Sequence, residues 1–376
     1  MSRPFLLIVT RHYPPEVSGG ARRPFLIAHG LRDRGYRVVV ASPFAPDDEP
    51  DWIRTPHPAA LRGFNAASKK GEAQEAQWKS KLRRMVRWPD NEIAWAGHAV
   101  RAVLASKLRP DWILTTSPPE SAHAAGERLK RALGARWMLE MRDSWIEEPL
   151  RAELALSGLR QSLERGIARR WLETADARVA VSEALSGEMK RLGPGAASPL
   201  SVIGHFAEPA PVPAHFEGPG PHFLHAGSLS QSHFGRRLGD LLAAFSTLLA
   251  KMPAARLHLV GRLTPVERAE LAVSPIAGYV TYHGEVSYAQ SRALQAGADG
   301  LILYQKGIDA LPGKLGEYLE CTAPILTIGE GSWKSRLEGL PHWELVDADE
   351  ALRAPRRTPA NALTDTLDMY EAVLGN

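Results

Sequence analysis

Residues 3–42 read RPFLLIVTRHYPPEVSGGARRPFLIAHGLRDRGYRVVVAS. The run Phe5–Thr10 is almost continuously apolar, as a strand covered on both faces of a parallel sheet must be. Turn-forming residues follow: His12, Tyr13, Pro14 and Pro15, then Ser18, Gly19 and Gly20. From about Ala21 the period becomes helical, with Phe25, Leu26, Ala28 and Leu31 at mixed three- and four-residue spacings, until Gly35 stops it. Tyr36–Ser42 then reads as a second strand. Strand, loop, helix and strand in that order predict the opening of a doubly wound α/β sheet.

The alternation continues outward from that opening. Asp111–Thr116 predicts a strand, Glu120–Leu133 a helix and Arg136–Glu140 a strand. A helix over Gly158–Thr174 precedes strand Ala177–Val181, and Ser182 caps a further helix reaching Leu192. The stretch EPAPVPAHFEGPGP at 208–221 is too rich in proline for a helix or a central strand, so it marks the domain boundary. A second series follows, with strands at His222–Ala226, Arg256–Val260, Val280–His283, Gly300–Tyr304 and Ile325–Ile328. The intervening helices fall at Arg237–Lys251, Pro265–Ala272, Tyr288–Ala296 and Leu315–Glu320. An amphipathic helix over Asn361–Leu374 stands outside that rhythm. The expected organisation is therefore a first domain at 1–205, a linker at 206–221, a second domain at 222–360 and a terminal helix at 361–376. That helix has the option of packing back on the first domain. Two such units predict a ligand cleft at the carboxyl ends of their strands.

At 376 residues the chain suits two domains, and 44% hydrophobic with 23% charged residues is a folded, not a disordered, composition. One cysteine, Cys321, excludes an intramolecular disulfide framework and a Cys-rich zinc module, and fits a reducing compartment. Phe5–Val9 is too short for a signal sequence or a membrane span, so a cytoplasmic location is expected. The net charge of +4 divides unevenly. Residues 1–200 hold 32 Lys and Arg against 23 Asp and Glu, net +9, which leaves −5 for the rest.

Nucleotide motifs are tested against this frame. No G-x-G-x-x-G follows the first strand, which removes the main support for dinucleotide binding. Gly307 and Gly313-Lys314 are one residue too far apart for a P-loop, and Leu315 replaces its Ser or Thr. Asp347-Ala348-Asp349 has the form of a metal-binding D-x-D, but its place before a helix favours N-capping. Gly19-Gly20 reads either as a tight turn or as an approach that lets an anion reach a helix N-terminus. In GIDALPGKLGEYLE at 307–320, the Gly313-Lys314 end suits a diphosphate, and Glu317 further in suits sugar hydroxyls; a solvated surface loop is the other reading.

These segments resemble one known family. The opening HYPPEVSGGARRPFLIAHGLRDRGYRVVVAS, then RPDWILTTSPP, WMLEMRDSW, ADARVAVSEAL, VTYHGEVSYAQSRALQAGADGLILY and LPGKLGEYLECTAPIL are similar to a GT-B glycosyltransferase of family 4. That is the retaining, nucleotide-sugar-dependent type of bacterial polysaccharide and glycolipid synthesis. The resemblance runs nearly end to end and is most specific at LPGKLGEYLECTAPIL. It implies two doubly wound Rossmann-like domains facing a central cleft, with the acceptor on the first and the nucleotide sugar on the second.

The resemblance also implies roles. Asp309 and Glu317 fall on the paired acidic motif E-x7-E, Glu317 binding ribose hydroxyls and Asp309 the donor sugar at its developing positive charge. Backbone N–H groups at Leu311 and Gly313, with Gly19 and Gly20 opposite, hold the diphosphate. Arg236 or Arg237 neutralises the leaving group with Lys314, and the base lies along Gly284, Glu285 and Val286. Asp309 is a methylene shorter than the family's Glu, Pro312 has no N–H, and His205 interrupts the usual linker sequence. Ser228 stands where many members carry a basic residue, a role open to Arg262. Arg142-Asp143, just past a strand, orients donor or acceptor with Asp143 as a candidate base, or else forms an internal ion pair. No metal or organic cofactor is expected.

Trp78–Trp95, WKSKLRRMVRWPDNEIAW, mixes five Lys/Arg with three Trp. It reads as a helix on an anionic membrane surface or as an ordinary amphipathic surface helix. Pro89 breaks it and no nucleic-acid module surrounds it, so no nucleic-acid partner is expected. The resemblance favours the membrane, which places the protein peripherally on the inner face and its acceptor on a polyprenyl lipid. Two further readings share the fold: a sugar-nucleotide epimerase, and a catalytically silent partner subunit.

Overall fold

The computed structural model describes residues 3–16, 19–57, 89–147, 158–230, 235–306, 312–337 and 339–375. Two compact units divide the chain: residues 1–204 with 365–376, and residues 205–364.

In chain order the first unit carries β1 (Leu6–Val9), α1 (Gly19–Asp33), β2 (Val38–Ser42), β3 (Trp52–Arg54), α2 (Ile93–Ala105), β4 (Trp112–Ser117), α3 (Ser121–Leu133), β5 (Arg136–Met141), α4 (Gly158–Thr174), β6 (Ala177–Ala180), α5 (Glu183–Leu192) and β7 (Leu200–Val202). Among the described residues its sheet runs β3-β2-β1-β4-β5-β6-β7, parallel throughout. β1 is central because every residue is buried: Leu6 pairs with Val38 on one side and Trp112 on the other. The core joins Leu7, Val9, Ile113, Trp137 and Leu139 to α2 and α3.

The second unit carries β8 (His222–Ala226), α6 (Leu238–Lys251), β9 (Arg256–Val260), α7 (Pro265–Ala272), β10 (Val280–Gly284), α8 (Tyr288–Gly297), β11 (Gly300–Tyr304), α9 (Lys314–Leu319), β12 (Ile325–Ile328), β13 (His342–Glu344) and α10 (Ala348–Arg353). Its parallel sheet is ordered β10-β9-β8-β11-β12-β13. The last helix, α11 (Ala362–Gly375), belongs mainly to the first unit. A Cβ on Gly30 would stand 2.4 Å from Leu367, so α1 and α11 touch where a larger residue would part them. Arg34 pairs with Asp368 and Glu371, and the Trp112 indole donates to the Leu374 carbonyl.

Several local expectations change. The proline-rich stretch is laid down on the second unit: Ala210, Ala214 and Phe216 pack on its core, and the Phe216 ring stacks on His222. Proline stops it from being a helix, but its apolar residues still seek cover. Strands β3, β7 and β13 have three residues each, too few for a period to show. Ser182 caps α5 as expected, its hydroxyl accepting the Leu185 N–H. Asp347 occupies the N-cap position of α10 but makes no capping hydrogen bond, and sits 3.7 Å from Lys251 Nζ instead.

Of the basic aromatic segment, residues 78–88 lie outside the described residues. Trp95 is corrected: it is buried in the first core, its indole N–H donating to Thr55 Oγ1 at 2.8 Å, and so is withheld from any membrane. No helix among the described residues is long and apolar enough to cross a bilayer.

Candidate active site

In the second sheet the chain moves outward from β8 in both directions, to β9 on one side and β11 on the other. That reversal opens a crevice at the carboxyl ends of the strands. Three neighbouring strands finish there in glycine: Gly227 after β8, Gly261 after β9 and Gly284 ending β10. A Cβ on Gly261 would stand 2.9 Å from the Gly227 carbonyl, and its φ of +126° is one L side chains avoid. Its N–H donates to the Gly284 carbonyl at 2.8 Å. The outcome is a terrace of bare backbone that a ligand can approach closely. Gly284 was singled out from sequence; Gly227 and Gly261 were missed, although the repeated strand-then-glycine pattern (HAG, LVG, YHG) was there to read.

Charge gathers beside this terrace. His225, in β8, is buried, and its Nδ1 lies 3.1 Å from the Ile302 carbonyl. A carbonyl can only accept, so Nδ1 carries the proton and Nε2 is a lone pair, without a hydrogen-bond partner. Burial pushes the His225 pKa down to about 4; the bond to Ile302 opposes this, and the positive charges of Arg236 and Lys314 add to it. Both cations therefore act on one neutral imidazole, although 78 positions separate them in sequence. Arg236 Nε donates to Gln305 Oε1 at 2.9 Å, and burial holds its pKa below the usual guanidinium value. Arg237 stands apart in role: it is the N-cap of α6, its N–H donating to Tyr304 Oη, with its side chain exposed.

Helix α9 begins after Gly313, which has no side chain to cap it. Lys314 Nζ lies 3.0 Å from both oxygens of Glu317, one turn on, and Gln295 Nε2 donates to Glu317 Oε2 at 2.7 Å. The Glu317 carboxylate is thus half-buried and held from two sides. Leu315 and Tyr318 anchor the helix in the core. The expected partners Asp309 and Leu311 lie outside the described residues. Arg262 and Glu285 form an exposed two-pronged ion pair, at 3.1 and 3.0 Å, past the ends of β9 and β10. Val286 packs partly buried against the apolar cluster beneath.

The first sheet has its own reversal, between β1 and β4. Gly19 and Gly20 open α1 there. The buried Arg142 guanidinium donates from Nε to the Ser117 carbonyl, from Nη1 to Gly20 and from Nη2 to Pro118, at 2.9, 2.8 and 3.1 Å. Gly20 suits this close approach, since a Cβ would stand 3.3 Å from Arg142 Nη2 and press on the guanidinium. Arg142 therefore binds the loops after β1 and β4 together through carbonyls, and is not the internal Arg–Asp pair weighed above. Asp143 beside it is exposed, yet crowded enough that lost hydration raises its carboxyl pKa, with Arg142 opposing. At the same edge Arg11 pairs with Glu16 and Glu92, His12 with Glu16, and His57 with Glu92. Sequence reading missed that network because its members come from three separate segments.

Comparisons fit these features. No curated protein matches the chain by sequence. The fold is similar to sucrose-phosphate synthase from Thermosynechococcus elongatus, at 15% identity over 98% of this chain and 96% of that one, TM-score 0.59. It is also similar to the catalytic domain of starch synthase IV from Arabidopsis thaliana, solved with ADP and acarbose, at 11% identity over 100% and 99%, TM-score 0.62. HepE from Anabaena, solved with UDP and glucose, aligns at 14% identity over 99% and 95%, TM-score 0.58. Two parallel Rossmann-like sheets and these neighbours identify a GT-B fold. Residues 18–205 match the glycosyl transferase 4-like domain, half of the chain, and the protein belongs to that glycosyltransferase family.

Proposed function

We propose that the chain transfers a sugar from a nucleotide-diphosphate sugar to a saccharide acceptor with retention of configuration, the acceptor being lipid-linked in polysaccharide or O-antigen assembly. One observation carries this: beside the glycine terrace Lys314 lies 3.0 Å from the Glu317 carboxylate one turn into α9, and Arg236 is held by Gln305 just past the end of β11. Because His225 stays unprotonated at neutral pH, it adds no positive charge of its own. Arg236, held by Gln305, and Lys314 stabilise a departing diphosphate, and such charge stabilisation is the largest effect a site of this kind has available. Bare backbone at Gly227, Gly261 and Gly284 lets the nucleotide lie close to the sheet, and Glu317 accepts from its ribose hydroxyls. Asp309 is assigned the donor sugar, and Asp143 the acceptor. Trp78 and Lys79–Arg87 are assigned an anionic membrane surface on the cytoplasmic side. Arginine and lysine supply the countercharge, so EDTA is expected to leave transfer unchanged.

The test is a panel of nucleotide sugars assayed for hydrolysis and for transfer to saccharide acceptors, with the product anomer read by NMR. Glu317→Ala and Arg236→Ala are each expected to abolish turnover, and intact donor binding and transfer in Glu317→Ala would sink the site assignment. Free epimerised nucleotide sugar formed without acceptor would support the epimerase reading, and silence across the panel the partner-subunit reading.

A further inference from the structure

We propose that Gln295, itself oriented by Arg292, is the positioning residue that sets the Glu317 carboxylate for the nucleotide's ribose hydroxyls, an inference that rests on the role of Glu317 given above. Both residues lie on α8 and both are buried, Arg292 at 2% exposure and Gln295 at none. Arg292 Nη1 donates to Gln295 Oε1 at 2.8 Å and to the Glu317 carbonyl at 2.7 Å, while Nη2 donates to the Glu208 carbonyl at 2.9 Å. One guanidinium thus fixes the backbone of residue 317 and the amide that addresses its side chain.

The chemistry leaves the amide one orientation. A guanidinium has no acceptor, so the Gln295 end facing Arg292 must be the oxygen. Its nitrogen then donates to Glu317 Oε2 at 2.7 Å and to Ser291 Oγ at 3.2 Å. Lys314 cannot do this work alone, because its ammonium is about one-third exposed on a flexible stem and sits equally near both oxygens. A buried, singly oriented amide defines which oxygen is held from beneath and therefore where the remaining lone pairs point. A carboxylate offers about four lone-pair sites; Gln295 takes one on Oε2 and Lys314 one on each oxygen, so one remains on Oε1 for a ribose hydroxyl, and a second opens where Lys314 turns to the diphosphate. Preorganising that acceptor lowers the ordering cost of binding the diol.

The experiment is titration calorimetry of UDP, ADP and GDP on the full chain, together with KM and kcat for whichever donor turns over. Gln295→Met keeps length and bulk but removes the donor. It is expected to weaken the bound nucleoside diphosphate about tenfold, as loss of a hydrogen bond to a charged group does, and to raise KM with kcat little changed. In a Glu317→Ala background the same substitution is expected to add less than a twofold effect. Wild-type affinity in Gln295→Met, or an equal loss with and without Glu317, overturns the inference. Unchanged binding in Glu317→Ala alone overturns instead the role given to Glu317. If Gln295→Met melts well below wild type, Gln295→Glu serves: it keeps a partner for Arg292 but turns a charge onto Glu317, and weaker binding without a lower melting temperature is expected.

Discussion

Removing the Glu140 carboxylate is the sharpest test of what holds the first unit together. Glu140, in β5, has no exposed surface. Its Oε1 accepts from Arg23 Nε at 3.0 Å and from the Tyr370 hydroxyl, and Oε2 accepts from Thr116 Oγ1 at 2.7 Å. Arg23 further donates to the carbonyls of Gly204 and Ile203 and to Tyr370. Burial alone would raise the Glu140 pKa; Arg23 and the hydrogen bonds overcome it and hold the group ionised. Glu140→Leu takes the carboxylate away from the buried Arg23 guanidinium, and breaking such a pair from one side costs about 3–5 kcal/mol. For a unit of this size about 2–4 °C is lost per kcal/mol, so the melting transition should fall by roughly 6–20 °C. Tyr370→Phe, which loses one hydroxyl, should cost only about 1–3 kcal/mol. Differential scanning calorimetry and urea titration read both. Arg23→Met with Glu140→Leu should recover part of the loss, because one of the two buried guanidiniums that Glu140 offsets is then gone, Arg142 being the other. A loss under about 1 kcal/mol in Glu140→Leu, or a double variant worse than the sum of its singles, would refute the reasoning.

Acid should destabilise the fold well before carboxylates protonate. His123, His225 and His258 have pKa values lowered to about 3, 4 and 4 by burial, so the unfolded chain binds more protons between about pH 4 and 6.5 and stability should fall as pH drops through that window; a flat urea-denaturation midpoint from pH 7 to 5 would contradict this. Gly261→Ala should cost about 1–3 kcal/mol, from its positive φ and its contact with Gly227, and blunt nucleotide binding in calorimetry. Arg142→Met should loosen the loops after β1 and β4, seen as faster hydrogen exchange at residues 117–122 with the β1 core unchanged. Cys321 is buried with its thiol pKa raised by burial, so Ellman's reagent should label it only on unfolding.

Much of the architecture was legible because buried parallel strands and amphipathic helices leave different periods in the chain. β1 and β11 are almost wholly apolar runs, β4 and β8 carry Thr, Ser or His but are buried throughout, and each fell within a residue or two of its expected bounds. Short edge strands were not legible, since three residues carry no period. Trp95 shows a different failure. It closes a segment whose first half, Lys79–Arg87, is basic, so it read as part of a surface stripe, yet α2 turns it into the core beside Thr55.

The site divides in the same way. Glu317, Lys314 and Arg236 carry chemistry that a sequence can flag one residue at a time. Residue type also sets what Arg142 is able to do, since a buried guanidinium must find acceptors. Which acceptors it finds is a tertiary matter, and three backbone carbonyls leave no mark on a sequence. Gln295 and His225 were invisible for the same reason. A glutamine in a helix and a histidine in a strand are ordinary until α8, α9 and β8 are packed. Local periodicity comes from neighbours a few residues apart, so the chain alone determined the two α/β units and their elements. The pairing of charges far apart in sequence, such as Arg23 with Glu140, depends on burial, which sets the strength of each interaction, and that only the tertiary structure decided.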